Sequence, residues 1–144
     1  MTSITKQALL AIALTVFIPF CHLMGQQIDT VRDEEVRVVD WEELGYPVTA
    51  RLARVQGIVV VRVRLDDSGK VVESVPISGN KALIPDSLAN SKKWRFQPNL
   101  QKAAVIVYEF RIEDGVCHDY GASHFVLRPP NFAKITNCDR LGQQ

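Results

Sequence analysis

The sequence predicts a small α+β unit, with short helices packed on one face of an antiparallel sheet. Three observations predict it. Two rows of apolar side chains recur with a period of two, over 55–65 and over 104–112. The turn Asp67-Ser68-Gly69 follows the first row directly. A helix-length segment between the rows ends on Trp94-Arg95-Phe96-Gln97-Pro98. Both rows are expected to line the same buried layer.

The chain has 144 residues, room for one such domain. Residues 1–25 read as a secretory signal: Lys6 is their only charge, Ala8 to Phe20 is an apolar block, and Gly25 is a small residue for cleavage before Gln26. The block is about 13 residues, against about 20 for a membrane-spanning helix. Two rivals stay open, an uncleaved anchor and a lipoprotein processed before Cys21, although Pro19-Phe20 suits lipidation poorly. Periplasmic or secreted export is the expectation. Without residues 1–25 the chain keeps 16 basic and 16 acidic residues, a formal charge of zero. Nucleic acid is excluded as a working partner, because it demands basic charge gathered on one surface.

Residues 26–44 form a leader. Gln26 to Glu35 is polar and without period, and Val36, Val38 and Val39 offer a short strand before Trp41. The domain itself is expected over 45–112. Pro47 opens a short helix through Ala53, with Gly57 just past its end. Val55, Gly57, Val59, Val61, Val63 and Leu65 then form the inner face of a strand, opposite Gln56, Arg62, Arg64 and Asp66. The return strand runs from Lys70 to Ser78, with a bulge or an edge expected near Glu73 to Ser74. Pro76 marks it as an edge.

Pro85 to Lys93 reads as a second helix, presenting Leu83, Leu88 and Ala89 to the sheet. Trp94 and Phe96 plug the seam beyond it, and Pro98 stops regular structure. Ala104, Ile106, Tyr108, Phe110 and Ile112 form the inner face of a third strand, opposite Val105, Val107, Glu109 and Arg111. In the extension 113–144, Phe125 to Leu127 and Ala133 to Thr136 flank Arg128-Pro129-Pro130-Asn131 as a smaller hairpin. In an exported chain, Cys117 and Cys138 are expected to join, restricting the unfolded chain by about 3 kcal/mol.

Chemistry is thinly supported. The sequence lacks a nucleophile elbow, a phosphate-cradling glycine loop and a paired-histidine motif. Cys117-His118-Asp119 with His124 offers metal-ligand types, but a cysteine in a disulfide is no thiolate ligand. Asp66 and Asp67 read as turn residues, and Ser78 has no base near it in sequence. The chain is not expected to be an enzyme, to hold a metal or cofactor, or to bind a small-molecule substrate.

Tyr46-Pro47, Gly57 before a valine-rich strand, Asp67-Ser68-Gly69, Ile77-Ser78-Gly79 and Trp94-Arg95-Phe96-Gln97-Pro98 stand in an order that resembles the C-terminal domain of TonB-type energy transducers, over 46–112. The resemblance implies a periplasmic domain of two helices packed on a three-stranded antiparallel sheet. It also implies that the last strand is an open edge that pairs with a segment of an outer-membrane receptor, by β-strand addition. Carried onto this sequence, the partner-binding edge is Val105, Val107, Glu109 and Arg111.

The sequence departs from the family's transducers in showing neither an inner-membrane helix nor a proline-rich spacer, and in carrying the extra tail. Two readings follow. One is a stand-alone exported binding module that meets an envelope protein, a receptor segment or a transducer complex, as a monomer or a strand-exchanged dimer. The other is a structural or interaction domain whose edge is capped by its own tail, with no transducer role.

Overall fold

A computed structural model describes residues 36–114 and 122–139. The expected signal, residues 26–35 of the leader and Cys117 to Asp119 lie outside the described residues. Strand β1 (Val38–Asp40) leads to helix α1 (Val48–Leu52), and strand β2 (Gly57–Leu65) turns into β3 (Val71–Ser78). Helix α2 (Ile84–Ser91) follows, then the short β4 (Arg95–Phe96) and the long β5 (Ala103–Asp114). The tail supplies β6 (Ser123–Arg128) and β7 (Phe132–Asp139).

The hairpin between β2 and β3 is built as its sequence requires. Asp66 Oδ1 accepts hydrogen bonds from Ser68 N, Ser68 Oγ and Lys70 N. These bonds, the Ser68 hydroxyl first, hold its carboxyl below the usual aspartate range. Gly69 stands at φ +80°, and a Cβ there would lie 1.8 Å from the Phe96 carbonyl oxygen. The backbone needs that closeness: Phe96 N donates to Gly69 O at 2.8 Å, which ties the hairpin to β4.

The two apolar rows share one buried layer, as expected. Val59, Val61, Val63 and Leu65 of β2 and Ala104, Ile106, Tyr108, Phe110 and Ile112 of β5 are buried. The strands pair antiparallel from Gly57↔Phe110 to Arg64↔Ala103. Trp94 and Phe96 are almost wholly enclosed. A run of rings crosses the core: Phe96 to Trp94 at 6.1 Å, Trp94 to Tyr108 at 5.9 Å, Tyr108 to Phe110 at 6.5 Å and Phe110 to Tyr46 at 5.4 Å. Burying such side chains contributes about 1.5–3 kcal/mol each.

Two local expectations need correction. Ala89 is exposed; α2 instead turns Ser87, Asn90 and Ser91 inward beside Leu83. That phase is tolerated because the polar groups are paired: Ser87 Oγ donates to Leu83 O, and Ser91 Oγ bonds Ser74 Oγ. Gly57 does not end α1 but begins β2. The left-handed residue after the helix is Arg54, at φ 52°. As expected, β3 is an outer strand with a bulge beside Glu73 to Ser74, and it has a second one farther on: the register slips between Arg64 and Leu65, and again between Val60 and Val61. Val72 and Ile77 are the extra residues, which restores the inward phase at Val71 and Ser74. Arg95–Phe96 pairs with β1 through Val38↔Phe96 and Asp40↔Arg95, and regular structure stops before Pro98 as expected.

The largest correction concerns the sheet. It has five strands in the order β3-β2-β5-β7-β6, not three with a separate hairpin. The tail hairpin joins the main sheet because β7 carries the same inner alternation: Ala133, Ile135 and Asn137 are buried beside the β5 row. The chain reaches the far edge as β6 and returns as β7, parallel to β5.

Candidate functional site

The strand expected to be open is β5, and its outer face carries the expected side chains. Val105 and Arg111 are exposed, and Val107 and Glu109 are half-buried. Arg111 Nε donates to Glu109 Oε1 at 2.8 Å, two residues apart on the same face. Val107 lies between Val60 of β2 and Phe132 of β7, and Glu109 between Ile58 and Lys134. The four residues are therefore brought together on one surface.

Their backbone is another matter. β5 is an interior strand, flanked by β2 on one side and by β7 on the other. The β7 pairing runs in unbroken register from Val107↔Phe132 to Asp114↔Asp139. Val107 N also donates to Asn131 O at 3.0 Å, so the turn before β7 already contributes. Of the two readings, an open edge or one capped by the tail, the pairing agrees with the second over Val107 to Arg111. The physical reason is that the tail supplies a strand whose apolar residues extend the buried layer, and an uncovered edge next to such a strand is quickly paired.

The sheet keeps two outer strands among the described residues, and they are not alike. β3 carries Pro76, which has no N–H to donate, the two register slips, and Glu73 paired to Arg64 at 2.8 Å. Each of these discourages further pairing. β6 has no internal proline, and it pairs with β7 without a slip from Ser123↔Asn137 to Arg128↔Phe132. In an antiparallel pair only alternate residues bond the neighbour, so the remaining backbone groups of β6 point outward.

Beside that edge lies a groove of about 690 Å³. Phe125 and Leu127 line it from β6, followed by Pro129 and Pro130. Val36, Val38 and Trp41 line it from the segment that crosses the same face of the sheet. Trp41 is 44% exposed, unlike the enclosed Trp94. Tyr46 N donates to Ser123 Oγ at 2.8 Å, which ties this segment to the start of β6. Arg37 and Glu43 stand at the rim. Sequence reasoning missed this groove; the alternation of Phe125 and Leu127 was its only local signal.

His124 lies exposed on the outer face of β6. Among the described residues no group of His, Cys, Asp or Glu is gathered as a metal site. Among them, too, no helix is long and apolar enough to cross a membrane.

Residues 42–113 match the family described as Gram-negative bacterial TonB protein C-terminal. The chain belongs to this family. No curated protein matches it. The match to the TonB C-terminal domain takes in α1, β2, β3, α2, β4 and β5 up to Glu113. The two strands that extend the sheet past β5 lie outside it. As a member of this family the chain is a protein-interaction domain of the type that serves TonB-linked transport in the envelope, rather than an enzyme of recognised type.

Proposed function

We propose that this chain is an exported protein-interaction module of the cell envelope, built on a TonB C-terminal domain whose last family strand is paired by the chain's own tail. One observation carries the reading: the in-register parallel pairing of β5 with β7. A receptor segment cannot add to Val107 to Arg111 through the backbone while β7 stays in place. Val105, Val107, Glu109 and Arg111 enter this reading as side-chain contacts on the open sheet face. No transducer role is required of it.

Export rests on the signal in residues 1–25 and suits a disulfide between Cys117 and Cys138. Cys138 is disulfide-bonded, and it stands in register with Glu113, four residues before Cys117 in sequence. A covalent link there holds the tail against β5.

The family match favours a second reading, in which the tail is displaced and an outer-membrane receptor segment takes its place on β5. Amide hydrogen exchange on Val105 to Arg111 in the dilute, isolated chain separates the two. Slow exchange throughout, unchanged by envelope extract, supports the capped module. Fast exchange that slows on adding a receptor segment supports displacement. Cross-linking in intact envelopes then names the partner.

A further inference from the structure

We propose that the outer face of the sheet, opposite its buried row, packs against the same face of a second copy of this chain in a two-fold dimer. The inference deepens the reading of that face as a contact surface, by naming what meets it. It needs no free strand edge.

Outer positions of a sheet with one covered face are ordinarily polar. Here Val60, Val107 and Phe132 form an unbroken apolar row across β2, β5 and β7, each in register with the next. These three are half-buried, and exposed Val105 and Ile58 extend the patch to either side of the row. Contiguous apolar surface of this kind marks a contact.

The charges name the occupant. Glu73 pairs with Arg64, Glu109 with Arg111 and Glu113 with Lys134. These six groups cancel within the face and leave little field to draw a polyanion or a lipid surface. Arg62, in register with Val105, makes no ion pair among the described residues. Glu109 takes Arg111 on Oε1, which leaves Oε2 to accept a second donor. Consider a two-fold axis lying across the strands along the Val60–Val107 row. Positions two residues before the row then lie over positions two residues after it. Arg62 and Val105 of one copy meet Ile58 and Glu109 of the other, and the symmetry repeats the contact. The unpaired guanidinium reaches the open carboxylate oxygen, while the aliphatic side chains close around Val60 and Val107. Arg128 stands beyond Phe132, exposed at the rim.

The size agrees. Five strands spaced by about 4.8 Å, and the Gly57 to Arg64 ladder at about 3.4 Å per residue, give a face of about 24 Å by about 27 Å. That is roughly 650 Å² in plan, against about 800 Å² per partner in a stable interface.

The test is sedimentation of the full exported chain at low and high micromolar concentration. A monomer–dimer equilibrium in that range is expected. Arg62→Glu and Glu109→Arg should each weaken it about tenfold or more. The two together should restore it to within about threefold, because a twin carries both ends of the contact. Val107→Asp places a charge in the row and should abolish the dimer, with melting curves showing that each variant folds. A monomer at every concentration overturns the proposal, whatever segment of its own covers the face. A dimer indifferent to these variants uses strand exchange or another surface, and overturns it too. So does a double variant no better than the singles. Should the chain stay monomeric while envelope cross-linking recovers another protein, the module reading stands and this inference alone falls. A swap-sensitive dimer that meets no envelope protein gives the converse.

Discussion

Tyr108 donates its hydroxyl to Asn90 Oδ1 at 2.9 Å, and the same oxygen accepts Trp94 Nε1 at 2.9 Å. The amide's other end donates to Glu42 O at 2.8 Å. One side chain on α2 therefore fastens the central strand, the aromatic plug and the segment that runs to the groove. Asn90→Ala strands two buried donors and should cost about 3 kcal/mol in urea denaturation. Tyr108→Phe leaves the amide oxygen paired to Trp94 and should cost about 1 kcal/mol. The double variant should fall short of the sum, because the phenol is no longer there to be orphaned. Strict additivity would mean that the two groups do not act through each other.

Burial raises the Tyr108 hydroxyl far above the ordinary tyrosine value near 10, and raises Tyr46 as well. The unfolded chain releases these protons near pH 10 while the folded chain keeps them. Unfolding then binds fewer protons, so stability is intact below pH 10 and declines as the pH climbs above it. Tyr108→Phe should flatten that decline in part, the remainder belonging to Tyr46. Urea midpoints at pH 9, 10 and 11 measure the slope. An identical slope in the variant would place Tyr108 in contact with water.

The two tryptophans should respond oppositely to truncation. Trp94 sits between Phe96 and Tyr108 in the core, and Trp94→Ala should cost about 3–5 kcal/mol, close to the whole margin of a small domain. Trp41→Ala removes a half-exposed ring from the groove wall and should shift the melting temperature little. If both melt alike, Trp94 is not the plug.

Those rows and that plug were legible because each obeys a local rule. Alternation marks a half-buried strand, and an aromatic pair at a helix exit marks a seam. Asn90 was not legible, since an amide on a helix reads as a solvent residue until its three partners are in place. The phase of α2 went the same way: Ala89 is apolar, yet Leu83 and the paired polar groups decide which side turns inward. The covering of β5 was legible only in half. Ala133 to Thr136 has a strand's alternation, but which neighbour such a strand selects depends on contacts distant in sequence. β6 and β7 were therefore legible as a hairpin, while their pairing with β5 stayed one of two readings.

Glycine at 69 should be irreplaceable where glycine at 57 is not. Both hold positive φ, so alanine is strained at either. At Gly57 a Cβ meets nothing within 4 Å, and Gly57→Ala should cost about 1 kcal/mol. At Gly69 it overlaps the Phe96 carbonyl that closes the hairpin onto β4. Gly69→Ala should cost clearly more, about 3 kcal/mol or above, and detach the 66–70 turn. Thermal melts of the two single variants compare them directly, and equal losses would mean that the turn does not rest against β4.

Ile135 decides whether the tail is a fixed part of the sheet. Its side chain is buried, and it stands in register with Phe110 on the parallel seam between β5 and β7. Ile135→Ala should cost about 2–5 kcal/mol if the layer is continuous, because the cavity opens inside the shared core. The loss should be local before it is global. Strands β2 and β5 hold each other from Gly57 to Arg64 without the tail, whereas among the described residues β7 pairs only with β5 and β6. Amides of Phe132 to Asp139 and those of β5 that face them should exchange faster in the variant, while amides of Val59 to Val63 keep their protection. A partner segment able to displace the tail should also bind Val105 to Arg111 more tightly in Ile135→Ala, since less has to be broken first. Unchanged exchange on β5 in this variant would show that β7 does not guard that strand, and the capped-module reading would lose the observation that carries it.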